Sequence, residues 1–419
     1  MTERDEYTTT FQKHDGSHVT QVSPTPINMF QNGEWQESST VLEADSATGG
    51  MSVPQNALHP KFKNDATATD AVSVEKDGYT VSYSLQGAGK STMKRPSASR
   101  SRTGGDQLSY PGVFAGTELQ YQVQPSSVKE TLKLASIPKA SQDAYTWKVK
   151  APGLELAVNQ DGGVDFTDRN GTVRFRIPTP LMWDSSGVEG ESSNATINVP
   201  VTVSKAGSTW KITLTPSRSW LTDKARVYPV FIDPTTWGSG PDDIRSYKSD
   251  GTLRTDTILV GNARDPGDHY WRSVVHFPYE QLFGKQILDA QVSVAMNGIV
   301  GTSNTYGGGV YWANAFSYNG VGAFLATLTV GSTGASSGAG LAQQVSSWVN
   351  MGTPGGYIML TGQESPGAYT LKSLNAALYV SWIDYPATPT AVSPSPTGGA
   401  RSTLTPTLAV SSSDPSGLG

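Results

Sequence analysis

The chain of 419 residues contains no cysteine. That absence excludes disulfides, thiol nucleophiles, iron–sulfur clusters and thiolate zinc sites. Charge is sparse as well: 16% of residues are Asp, Glu, Lys or Arg, and the net charge is −5. No basic field is available for nucleic acid or an anionic membrane, so neither is an expected partner. No apolar run approaches the roughly 18 residues that a membrane-crossing helix needs. The opening stretch MTERDEYTTTFQKHDGSH has no apolar core and does not read as a signal peptide.

What is abundant points to strands and turns. There are 44 Gly and 26 Pro, with 10 Trp and 17 Tyr among few charges. Such a composition suits all-β architecture with many short strands. YTTTFQKHDGSHVTQVS and MFQNGEWQES read as hairpins in a turn-rich leader, and AVSVEKDGYTVSYSL as a stronger one around Asp77-Gly78. GAGKSTMKRPSASRSRTGGD has neither bulk nor periodicity and reads as a loop. From Leu108 to Pro234 apolar residues recur at period two, with breaks at Pro152-Gly153, Asp161-Gly162, Asn170-Gly171 and Ala206-Gly207. After Trp237 a second set follows, including WRSVVHFPY, QILDAQVSVAMNG and ALYVSWIDYP. Within it, GLAQQVSSWVNMG alone has helical spacing, through Leu341, Val345, Trp348 and Val349.

The expected fold is therefore all-β: two consecutive antiparallel β-sandwich (jelly-roll-like) domains behind a turn-rich leader. The leader, residues 1–55, should pack its hairpins on the domain that follows, 56–236, with the second sandwich at 237–385. Residues 386–399, PATPTAVSPSPTGG in context, read as a Pro/Ser/Thr linker, and 400–419 as the truncated start of a further β domain.

Candidate chemistry is scattered. In RVYPVFIDPTTW, Asp233 ends a strand as a glycosidase carboxylate would. No second carboxylate is singled out, however, and Ile-Asp-Pro is also ordinary turn chemistry, which makes this stretch the joint between the two sandwiches. Asp161, Asp165, Asp168 and Asn170 in NQDGGVDFTDRNG offer oxygens to calcium, but their spacing is not that of an EF-hand and two hairpin turns account for them. Asp256, Asp265 and Asp268 form a similar, poorer set. His269 and His276 are seven apart, so on one strand they face opposite sides. GAGKS at 87–91 lacks the spacing and following helix of a phosphate-binding loop, and no nucleophile motif is present. No cofactor is expected. The aromatic group Tyr306, Tyr311, Trp312, Phe316 and Tyr318 in TYGGGVYWANAFSYNG is the best binding candidate, because exposed rings stack on sugar faces. Core or loop packing is the plainer account of the same residues.

Two stretches carry a family resemblance. YPGVFAGTELQYQVQPSSVKETLKL, LELAVNQDGGVDFTDRNG, IPTPLMWD and WL…RVYPVFIDPTT resemble the region ahead of the repeats in large actinobacterial secreted YD-repeat (RHS-repeat) proteins. TDTILVGN…WRSVVHFPYEQLFGKQILDAQVSVAMNG and VSSWVNMGTPGGYIMLTG…LYVSWID are similar to the DNRLRE domain, here with Phe277-Pro278 in place of the usual Phe-Asp. The resemblance implies an excerpt of a secreted or cell-surface protein whose downstream repeat shell or effector, a toxin in some members, is its partner. On that basis the expected role is a non-enzymatic structural or display module. A polysaccharide- or cell-wall-binding module is the alternative, and a glycoside-acting enzyme the weaker one.

Overall fold

The computed structural model describes residues 3–95, 105–186, 196–238, 244–254, 257–264, 267–302, 304–352 and 356–386, with the short pairing of Thr390–Ala391 on Val410–Ser411. The all-β expectation is met: the described residues are almost entirely antiparallel strands, arranged in two bodies, each around its own core.

The first body is a sandwich whose core runs from Leu42 to Ile232. One sheet has eight strands, with Tyr145–Lys150 and Tyr79–Leu85 side by side at its centre. Alternation places Val81, Tyr83 and Leu85 inside and the intervening residues outward, as a pleated surface with one buried face requires. Asp77 and Gly78 close its hairpin at φ of 53° and 78°, the left-handed pair that Asp-Gly supplies at low cost. The facing sheet has ten strands, with Ser127–Leu134 central and Gln107–Phe114 and Thr117–Val123 attached to one side of it. A carboxyl group, that of Glu130, enters this core. Glu130 occupies the inward phase between Val128 and Leu132, is 5% exposed, and faces Tyr121 and Trp147. Burial pushes its pKa up to about 8, against the smaller opposing effect of those two neighbours.

Asp233 ends Val230–Asp233, the strand that carries Ile232 into this core. Its Oδ1 accepts the Thr235 backbone N–H at 3.0 Å and the Thr235 hydroxyl, and Lys129 Nζ stands 3.4 Å from Oδ2. The chain then adds Thr236–Gly238 to the same sheet before leaving it. The opening of RVYPVFIDPTTW onto the second body is thus a capped turn, with its aspartate committed to the cap.

The second body closes on itself. Lys372–Asp384 pairs with Lys285–Gly301, and the circuit runs through Thr333–Ser337, Val321–Val330, Tyr306–Ala313, Gly356–Thr361 and Tyr270–Phe277. Ile258–Asn262 pairs with both Tyr270–Phe277 and Lys372–Asp384 and completes it, giving a barrel-like closed sheet where a second sandwich was expected. The helix Ala339–Met351 packs against Lys285–Gly301 and Val321–Val330. Leu341, Val345, Trp348 and Val349 are its buried face, as the spacing predicts, and Gly352 ends it in the left-handed conformation at φ 59°.

The leader does not behave as a unit packed on the next domain. Its first hairpin, Thr8–Gln12 with His18–Val22, pairs with Lys372–Asp384 in the second body, in the register His18↔Trp382, Thr20↔Val380, Val22↔Leu378. Val22 is fully buried in the second core, the His18 ring stacks on Trp382 at 4.3 Å, and Trp382 Nε1 donates to Thr20 Oγ1 at 2.8 Å. The second hairpin, Asn28–Gln31 with Glu34–Glu37, forms its own two-stranded sheet. Only from Leu42 does the chain enter the first core. The physical reason is an open edge. Ile258–Asn262 covers only Lys372–Leu374, and the rest of that long strand needs a partner on the same side.

Candidate functional site

The turn carboxylates are engaged with arginines. Arg176 donates to both oxygens of Asp165, at 2.7 and 3.2 Å, and Asn159 Nδ2 adds a third hydrogen bond at 3.0 Å. Asp168 Oδ1 accepts the backbone N–H groups of Asn170 and Thr172, and its Oδ2 accepts Arg174 Nε at 2.9 Å. Burial pushes the Asp168 carboxyl up, but the Thr172 N–H and Arg174 together outweigh it and hold it below the usual range. Asp161 and Asn170 are exposed at the two hairpin tips. Among the described residues, no group of three or more His, Asp or Glu side chains is placed to hold a metal ion. Millimolar calcium should leave the melting temperature unchanged, whereas Asp168→Ala should lower it by removing the acceptor of the Asn170 and Thr172 N–H groups and of Arg174; thermal melts of parent and variant with and without calcium check both.

Of the poorer set, Asp256 and Asp265 lie outside the described residues. Asp268 Oδ1 accepts Asn262 Nδ2 at 2.6 Å, and the carboxylate also accepts the Gly367 N–H. His276 packs against Tyr357 at 5.1 Å, while the His269 N–H donates to Asn262 Oδ1 ahead of the strand. Gly87 lies in a turn and Lys90 just beyond it, the described residues from there to Arg95 form no helix while 96–104 lie outside the described residues, and Ser91 is buried with its hydroxyl on the Pro111 carbonyl.

The five aromatics are not brought into one contact face. Tyr311, Phe316 and Tyr318 lie with Tyr357 and Phe324 over the outer side of the barrel wall, above a small cluster of Val274, Ala313 and Met359. The loop that carries Phe316 and Tyr318 folds back across the wall. Phe316 sits edge-on to Tyr357 at 4.6 Å, with the Arg245 guanidinium 4.7 Å from its centroid. Arg272 lies 4.3 Å from the Tyr318 ring and makes a two-pronged ion pair with Glu364 at 2.6 and 2.8 Å. Trp312 pairs in register with the core residue Ile358 and is 42% exposed at the strand end, away from Tyr311. Tyr306 is elsewhere again: its ring faces the buried Lys372, whose ammonium donates to the Thr302 carbonyl and whose pKa burial lowers.

One cavity lies where none of these motifs points. It is a groove of about 600 Å³ on the outer face of the ten-stranded sheet of the first body. Three rows of side chains cross its floor, strand to strand. Gln107, Gln122 and Lys129 are register partners in the first row, and Ser109, Gln120 and Thr131 in the second. In the third, Glu118, Phe231 and Trp183 line the groove, in register through Lys133, which does not itself line it. The Trp183 and Phe231 rings stack at 5.6 Å and 21°. Lys129 Nζ lies 5.5 Å from the Trp183 centroid and also pairs with Asp233. Lys94, bridged to Ser109, and Arg95 form one rim. The outward phase of QLSYPGVF, TELQYQV and SVKETLKL is the sequence signal for this floor; it is unusually rich in glutamine.

No family model matches the chain. A stretch of 242 residues, 56% of the chain, is 29% identical to the tRNA3(Ser)-specific nuclease WapA of Bacillus spizizenii. Over the same length it is 28% identical to the tRNA nuclease WapA of Bacillus subtilis and to the tRNA(Glu)-specific nuclease WapA of Bacillus subtilis subsp. natto. In each case the match spans 10% of the relative's length. The chain is thus similar to one segment of very large proteins named for RNA cleavage. This overturns the expectation of a non-enzymatic protein, because the named relatives are all nucleases. Composition misses it: an absent basic field and absent nucleophile motif describe this stretch of chain, whereas the relatives are named for an activity of the whole polypeptide.

Proposed function

We propose that this chain is a segment of a large secreted or cell-surface YD-repeat protein of the nuclease-toxin kind, and that its two β bodies hold and present the remainder of that polypeptide outside the cell. The observation that supports this is the match of 242 residues to tenth-length segments of three tRNA nucleases. The architecture fits the role. Two cores are present, and the leader strand His18–Val22 pairs with Lys372–Asp384, so early and late parts of the described chain share one β ladder. Among the described residues no helix is long and apolar enough to cross a membrane, and a display role needs none.

Antibodies against residues 3–386 test the reading on intact producing cells. Protease shaving should remove the epitope from the outside, and the captured polypeptide should cleave total tRNA. An epitope found only inside, or a captured protein with no effect on tRNA, would overturn it. Incubating the purified chain with the same tRNA shows whether cleavage is carried within these residues or elsewhere on the polypeptide.

A further inference from the structure

We infer that the groove on the first body is a saccharide-binding site that takes two or three rings of a neutral or weakly acidic glycan chain. This inference is independent of the toxin reading. Its volume, about 600 Å³, lies within the span of small-ligand sites, roughly 300–1,000 Å³.

The floor chemistry selects the ligand. Glutamine amides and Ser and Thr hydroxyls can both donate and accept, which is what a polyhydroxyl chain demands. The stacked Trp183 and Phe231 supply an aromatic end against which the apolar face of a sugar ring packs. The polar rows precede that platform across adjacent strands about 4.8 Å apart, so rings placed on successive strands meet successive hydrogen-bonding groups.

Charge argues against the other polymer that favours aromatics. Single-stranded nucleic acid needs cations tracking its phosphates. Here Lys129 is paired with Asp233 and Lys133 with Glu118, leaving cations on the rim at Lys94 and Arg95. A rim of that kind tolerates an acidic sugar without neutralising a phosphate backbone.

The test is isothermal titration of the full chain with three soluble probes: the hexamers of β-1,4-glucose, of β-1,4-N-acetylglucosamine and of α-1,4-galacturonic acid. Poly-uridine serves as the nucleic-acid probe. At least one hexamer should bind with a dissociation constant in the micromolar to low millimolar range. Trp183→Ala should weaken that binding at least tenfold and Gln120→Ala severalfold. Phe324→Ala, on the second body, should leave it unchanged. Because Trp183→Ala removes a stacking partner of Phe231, Gln120→Ala, whose melting temperature should match the parent chain, carries the decision if the tryptophan variant unfolds. Binding of no hexamer, binding unaffected by Gln120→Ala, or tighter salt-sensitive binding of poly-uridine would each overturn the inference.

Discussion

Raising the pH from 5 to 9 is expected to destabilise the first body by something on the order of 4 kcal/mol, and Glu130→Gln to abolish that dependence. Burial moves the Glu130 carboxyl from an ordinary value of 4.5 to about 8 in the folded chain. Between those two values the folded state holds a proton that the unfolded state has released. Stability is therefore full below about pH 4.5, falls through the window to about 8, and is level above it. The slope is about 1.4 kcal/mol per pH unit while the two states differ by one proton. The glutamine variant carries no proton to lose, so it should match or trail the parent chain at pH 5 and exceed it above pH 8. Calorimetry of the first body's transition across this range provides the comparison. Parallel curves for parent and variant would mean that the carboxyl is solvated, or paired, more than its 5% exposure implies.

Deleting residues 1–24 should unfold or strongly weaken the second body, where Trp382 bonds Thr20 across 362 positions of chain, and spare the first. The deletion removes Val22 from the second core and uncovers the edge of Lys372–Asp384. It also strips the partners of a Trp382 that is now 6% exposed. Losses of this kind resemble large core truncations, about 3–5 kcal/mol, and the freed edge is a site for intermolecular pairing. A milder version is Thr20→Val, which leaves the Trp382 indole N–H without its acceptor and should cost about 1–3 kcal/mol. Two calorimetric transitions resolve the bodies: the second should move and the first hold. A shift of the first transition alone would restore the view that the leader packs on its immediate neighbour.

These two cases mark what pattern reading can reach. In SVKETLKL the alternation already sets Glu130 in phase with Val128 and Leu132, so a buried carboxylate is legible in the order of residues. What it does not contain is the depth of burial that the facing sheet imposes, and it is that burial that moves the proton affinity. Asp165 and Asp168 are the opposite case. Their spacing invites a metal, and only the fold brings Arg176 and Arg174 across the hairpins to occupy their oxygens.

The aromatic cluster shows the limit most clearly. Tyr306, Tyr311, Trp312, Phe316 and Tyr318 are close in sequence, and proximity suggests a shared surface. Bulges beside Tyr311 and the folded-back loop separate them into three surroundings. The groove residues, by contrast, come from five strands between Gln107 and Phe231 and meet only because those strands pair in one register.

The amino-acid order by itself determined the all-β class, the positions of the hairpin turns and the buried face of the helix Ala339–Met351. All of these follow from interactions within about ten residues: side-chain alternation, helical spacing and the backbone freedom of Gly and Asn or Asp in turns. Tertiary structure alone decided that the leader strand joins the last body, that the barrel closes through Ile258–Asn262, and that a glutamine-lined groove forms on the first body's outer sheet. The reason is that the same alternating strand satisfies its hydrogen bonds equally well on any open edge. The choice among edges rests on which long-range pairing also buries Val22, stacks His18 on Trp382 and covers the edge of Lys372–Asp384.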